Sequence, residues 1–157
     1  MTQMFYDASS FNQPMQGWNT SSVRATDQMF RGSAFDQPVN NWDVSRVTSM
    51  LGMFAKSPFD RPLNTWDVGR VRNMEALFDQ SAFNRPLDKW RVASVTNMYG
   101  MFYGATSFDQ ALGWCVDTGV LLEDAFNGTR CEATACGVVQ RRGETDEPRS
   151  ASSSAVS

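Results

Sequence analysis

The five tryptophans of this chain stand at Trp18, Trp42, Trp66, Trp90 and Trp114, each 24 residues from the next. A single irregular core has no reason to space its largest side chain evenly. A stack of equal units does, because each unit must offer the same anchor to its neighbours. Other columns keep the same step. A Phe column runs through Phe11, Phe35, Phe59, Phe83 and Phe108, and a Pro column through Pro14, Pro38, Pro62 and Pro86. An apolar-Phe pair recurs as Met4-Phe5, Met29-Phe30, Met53-Phe54, Leu77-Phe78, Met101-Phe102 and Ala125-Phe126. One residue is gained between Phe102 and Phe108 and one is lost before Trp114, so length is tolerated in the turn and not at the Trp.

Within a unit, Leu63-x-x-Trp66-x-Val68-x-x-Val71 follows the apolar spacing of a leucine-rich-repeat strand segment. That spacing predicts a strand at each Trp, with the residues on either side of Trp facing solvent. Next, Val71-x-x-Met74-x-x-Leu77-Phe78 places apolar residues at i, i+3, i+6 and i+7, which predicts a short amphipathic helix. Thr48, Ser49, Asn73 and Thr96 are the candidate N-caps. The expected fold class is therefore an α/β solenoid: five stacked 24-residue units, each with one short parallel strand and one short helix. Residues 1–137 are expected to form the solenoid, with a cysteine-containing C-terminal cap over about 115–137. The charged, Ser-rich remainder, 138–157, is expected to be a disordered tail.

With the repeat in view, the chain resembles the BspA-like leucine-rich-repeat surface proteins. The motifs that carry the resemblance are Phe35-Asp-Gln-Pro38, Trp42-Asp-Val-Ser45, Val47-Thr-Ser-Met50 and Met53-Phe54. They are similar to a Trp/Met-Phe subfamily first noted in mycoplasma lipoproteins, and they recur from residue 4 to about 126. The resemblance implies a cell-surface or extracellular binding module and brings no catalytic residues with it. The first unit lacks a strand and a polar cap ahead of Met4, so a start upstream of Met1 is expected. Ala125 departs from the subfamily's Met.

Composition excludes several functions. Seventeen acidic residues against fourteen basic ones leave a net charge of −3, without the basic stripe that nucleic acid requires. No apolar run is long enough to span a membrane, and no signal-peptide pattern opens the sequence. The chain contains no His, which removes Ser-His and Cys-His pairs and His-based metal sites. There is no Gly-rich phosphate loop. The carboxylates Asp36, Asp60 and Asp109 recur with the repeat, as structural Asx turns would. No enzyme activity, catalytic residue, cofactor or metal is expected.

Cys115, Cys131 and Cys136 cluster at the C-terminal end, where they form either a disulfide-pinned cap or three free thiols. In the former, Cys131 pairs with Cys136, or either pairs with Cys115. The candidate partner-binding strip is the set of outward residues beside the tryptophans: Asn19, Asn41, Asp43, Thr65, Asp67, Lys89 and Arg91. Asp43 and Asp67 would repel unless Arg46 and Arg70 compensate, whereas Asp67 and Arg91 would attract. The expected function is a monomeric interaction module that binds a protein or glycan through this strip. The alternatives are an intracellular repeat scaffold or a fragment of a larger surface protein.

Overall fold

The computed structural model describes residues 1–141. Its 24-residue units do stack, but each unit is a run of turns. The unit from Phe59 shows the pattern. Backbone N–H groups of Trp66, Val71, Leu77, Asp79 and Ser81 donate to the carbonyls of Leu63, Val68, Met74, Ala76 and Phe78, each three residues back, at 2.9–3.2 Å. The expected α/β solenoid with a strand and a helix in every unit is not formed. Among the described residues the only helical element is a 3-10 segment, Glu132–Gly137. The only strands among the described residues are β1 (Cys115–Asp117) and β2 (Val139–Arg141), paired in parallel.

The helix fails for an identifiable reason. Ala76 and Gln80 sit at φ 51° and 50°, in the left-handed region, and the same two positions recur at Gln28 and Gly32, Gly52 and Lys56, Gly100 and Gly104, and Asp124 and Gly128. These residues turn alternate N–H groups out of the unit. Met74, Ala76, Phe78 and Gln80 donate to Asn97, Tyr99, Met101 and Tyr103 of the next unit at 2.7–2.9 Å. A right-handed helix would keep those donors within its own unit and take these four bonds away from the junction. Asn73 caps no helix: its Oδ1 accepts the Glu75 N–H in a local turn. Thr48 and Thr96 direct their hydroxyls at the Arg24 and Arg72 carbonyls of the preceding unit.

The expected strand at Trp is replaced for a related reason. Asp67 Oδ1 accepts the Gly69 N–H at 3.1 Å, and Asp43 Oδ1 accepts the Ser45 N–H at 3.0 Å. Such side-chain bonds compete with a sheet ladder. Parallel pairing survives as single-residue bridges that link Ala25, Ser49, Asn73, Asn97 and Leu121.

Side-chain columns fill the interior. One Phe column (Phe30, Phe54, Phe78, Phe102) and a second (Phe35, Phe59, Phe83, Phe108) are completely buried. Rings stack along each column at 5.2–6.3 Å and across the pair within a unit at 3.9–4.1 Å. Trp66, Trp90 and Trp114 stack in their own column. Each buried indole also satisfies its polar edge. The Nε1–H of Trp42, Trp66, Trp90 and Trp114 donates to Met15, Val39, Leu63 and Leu87 O, respectively, 27 residues back. This bond explains why Trp keeps its register: the indole must reach a carbonyl of the unit before it. Trp18 is the exception to the expected core. It is 41% exposed.

The periodic carboxylates form a second ladder. Asp36 N–H donates to Asn12 Oδ1, Asp60 N–H to Asp36 Oδ1, Asn84 N–H to Asp60 Oδ1, and Asp109 N–H to Asn84 Oδ1. Arg61 and Arg85 add ion pairs to Asp36 and Asp60 at 2.7 and 2.9 Å. At the C-terminal end, Cys131 and Cys136 are disulfide-bonded, and Cys115 is free and exposed. The tail expected from 138 does not begin there, because Val138 is buried and Val139–Arg141 forms β2. Residues 142–157, the rest of that expected tail, lie outside the described residues.

Candidate functional site

The residues beside each Trp lie at the mouth of a turn, not on a strand. Asn19, Asn41, Asp43, Thr65, Asp67, Lys89 and Arg91 are all exposed. Four of them are brought together: Thr65, Asp67, Lys89 and Arg91, with Asn64, Trp66 and Val68, line an open groove of about 300 Å³.

Much of the strip has a structural task. Asn41 Nδ2 donates to Gln16 O at 2.7 Å, and Thr65 Oγ1 donates to Asn40 O at 3.0 Å, each fastening its unit to the one before. Asn19 Oδ1 accepts both the N–H and the hydroxyl of Ser21. Asp43 does the same with Ser45. The Ser45 hydroxyl, and next its N–H, hold the Asp43 carboxyl below its ordinary value of 3.8, with the nearby Arg46 charge adding less. Asp43 is therefore stabilised as an anion mainly by its own turn rather than by Arg46.

The two cations differ from this pattern. Lys89 offers its backbone N–H to Asn64 Oδ1 at 3.0 Å, which fixes its main chain while its ammonium projects from an exposed position. Neither Lys89 nor Arg91 is in an ion pair among the described residues, and the expected Asp67–Arg91 attraction does not become a contact pair there. The groove thus presents two cationic heads and one carboxylate on a backbone locked by inter-unit bonds. Trp66 contributes only a 4% exposed ring, so the groove offers little aromatic platform. No cluster of His, Cys, Asp or Glu that would hold a metal occurs among the described residues. No helix there is long and apolar enough to cross a membrane.

A second groove, of about 330 Å³, was not anticipated. Glu75, Ala76, Asp79, Gln80, Tyr99, Gly100, Tyr103 and Asp124 line it. It follows from the left-handed turns that the helical reading missed. The sequence did carry a signal for them, in Gly52 and Gly100 at one repeat position and Gly32, Gly104 and Gly128 at the other.

Fold and grooves together define a protein of stacked 24-residue turn repeats with a buried aromatic spine and a polar surface. Residues 1–59 and 33–134 match, in two overlapping segments, the family described as "Mycoplasma protein of unknown function, DUF285". The chain belongs to this family, and the matches span most of its length. No curated protein matches the chain, and no solved structure does.

Proposed function

We propose that this chain is a non-enzymatic, monomeric interaction module that binds a protein partner through the Asn64–Arg91 groove. The observation that carries the reading is the pair of exposed cations, Lys89 and Arg91, without ion-pair partners among the described residues, beside Asp67 on a rigid frame. Preorganised charges of mixed sign favour specific docking of a partner with the complementary pattern. A glycan partner is the second reading, supported by the polar lining of the same groove. The absence of a wide exposed aromatic surface there makes the protein reading the better supported.

Within the family we propose the narrower placement among BspA-like surface proteins, on the strength of the Phe-Asx-Gln-Pro and Trp-Asp-Val-Ser motifs. A cell-surface or extracellular location accords with the Cys131–Cys136 disulfide, since such bonds persist in oxidising compartments.

Charge reversal tests the binding reading. The quadruple variant Asp43→Lys, Asp67→Lys, Lys89→Glu and Arg91→Glu should keep the wild-type circular dichroism. It should also lose the interactions that the native chain makes on glycan and extracellular-protein arrays. Retention of every interaction by the folded variant would refute this surface as the contact site. Loss of glycan spots alone would favour the second reading.

A further inference from the structure

Tyr99 and Tyr103 are 44% and 43% exposed, as Tyr6 and Trp18 are in the first unit, whereas Phe30 to Phe108 and the later tryptophans are interior. The fold does not demand them. At the corresponding positions other units carry Leu51 and Ala55, Glu75 and Asp79, and Glu123 and Asn127. The main chain that carries the two rings is fixed by inter-unit bonds. Tyr99 O accepts the Ala76 N–H at 2.9 Å and Tyr103 O accepts the Gln80 N–H at 2.7 Å, with Gly100 at φ 56° between them.

The ionised side chains that line the groove are all acidic, with Arg31 reaching one of them, Asp79, from outside the lining. Glu75 and Asp79 from the preceding unit and Asp124 from the following one line the same groove, which contains no Lys or Arg. Glu75 and Asp124 have amide partners only, Asn97 Nδ2 at 2.9 Å and Asn127 Nδ2 at 3.4 Å. Asp79 shows what kind of cation this face accepts. Arg31, two units away, extends its guanidinium to 3.9 Å from Asp79 Oδ2, passing close to Gly52.

We propose that the Tyr99/Tyr103 groove binds an arginine side chain presented by a partner protein. This surface is separate from the Asn64–Arg91 groove, and the inference does not rest on that reading. A guanidinium is planar and weakly hydrated. It stacks on an aromatic face while its edge N–H groups reach carboxylates. An ammonium offers neither the plane nor the fork. Two tyrosine rings between carboxylates on both flanks therefore suit arginine over lysine. Because the site is open, its affinity should fall with added salt.

The test is titration of the full-length, ¹⁵N-labelled chain with capped hexa-arginine at low ionic strength, with hexa-lysine and hexa-glutamate of equal length alongside. Backbone shifts should be confined to 75–80, 99–104 and 124. The Tyr99→Ala/Tyr103→Ala variant should bind about tenfold more weakly, whereas Tyr99→Phe/Tyr103→Phe, which keeps both rings, should stay within about twofold. Asp124→Asn should weaken binding in the same direction, and Lys89→Glu/Arg91→Glu should leave these shifts in place. Equal affinity for hexa-lysine, shifts centred on Asp43 and Asp67, or undiminished binding by the folded double-alanine variant would each overturn the proposal. The wild-type fold of each variant is verified in the same spectra.

Discussion

Replacing Ala76 with glycine should stabilise this protein, although in a helix the same change would weaken it. Ala76 sits at φ 51°. A residue with a Cβ costs about 1–2 kcal/mol in the left-handed region. Glycine removes that strain but widens the unfolded ensemble, which costs about 0.4–1 kcal/mol. The net gain is about 0.5–1 kcal/mol, and slightly less if the half-buried methyl loses contacts. Were residues 74–78 a helix, Ala76→Gly would destabilise by about 0.8–1 kcal/mol. The two structures thus differ in sign, by about 1.3–2 kcal/mol. Urea titration followed by tryptophan fluorescence resolves that difference, and thermal unfolding should show a rise of about 1–4 °C for a chain of this size. Gln80→Gly, at φ 50°, should shift stability in the same direction. A fall in stability for Ala76→Gly would refute the left-handed turn and restore the helix.

Further outcomes follow from the ladders. Trp66→Ala should cost about 3–5 kcal/mol in urea unfolding, because it empties a buried site and removes the bond to Val39 O. Trp18→Ala should cost under about 1.5 kcal/mol, since that ring is 41% exposed; equal losses would contradict the structure. Asp60→Ala, which orphans the Asn84 N–H, should cost about 1–2 kcal/mol. Asp60→Asn keeps that acceptor and gives up only the exposed pair with Arg85, so it should cost less than about 1 kcal/mol. If Asn proves as damaging as Ala, the ladder bond is not what Asp60 provides. Asp43 should titrate below 3.8 by carboxyl ¹³C chemical shift, because Ser45 donors favour its anion. A depressed folded value means that its contribution is present above pH 3.8 and is lost as pH falls through the folded value. A measured value at or above 3.8 would remove the Ser45 bonds from the account.

The spine of the molecule is legible in the sequence, and its local geometry is not. Trp42, Trp66, Trp90 and Trp114 and the Phe columns from Phe30 and Phe35 onward are buried, as their regular spacing requires. Apolar residues three apart, such as Val71, Met74 and Leu77, point to a helix. Consecutive turns closed three residues back produce the same spacing. What separates the cases is chirality. The glycines at 52 and 100, and at 32, 104 and 128, mark the left-handed positions, but Ala76, Gln80 and Lys56 obscure those columns. Likewise Asp43-Val-Ser45 and Asp67-Val-Gly69 look like a strand by alternation, and only their side-chain capture of the next N–H but one makes them turns. The strip was legible as exposure. The gathering of Lys89 and Arg91 with Asp67 into one groove depends on the stacking of adjacent units. The tyrosine groove is not legible in the sequence, because a helical spacing would not gather its two columns into a groove.

The inter-unit bonds have an electrostatic consequence. Across the junction after Phe59's unit, Met74, Ala76, Phe78 and Gln80 aim their N–H groups forward. The N–H groups of Asn84, Lys89, Thr96 and Asn97 and the Trp90 indole aim backward across the same junction. In an α-helix all peptide dipoles point one way and accumulate partial charge at the ends. At this junction forward and backward donors are nearly equal in number, so their dipoles largely cancel there. A stack that repeats this junction accumulates little polarisation as it lengthens, unlike a helix.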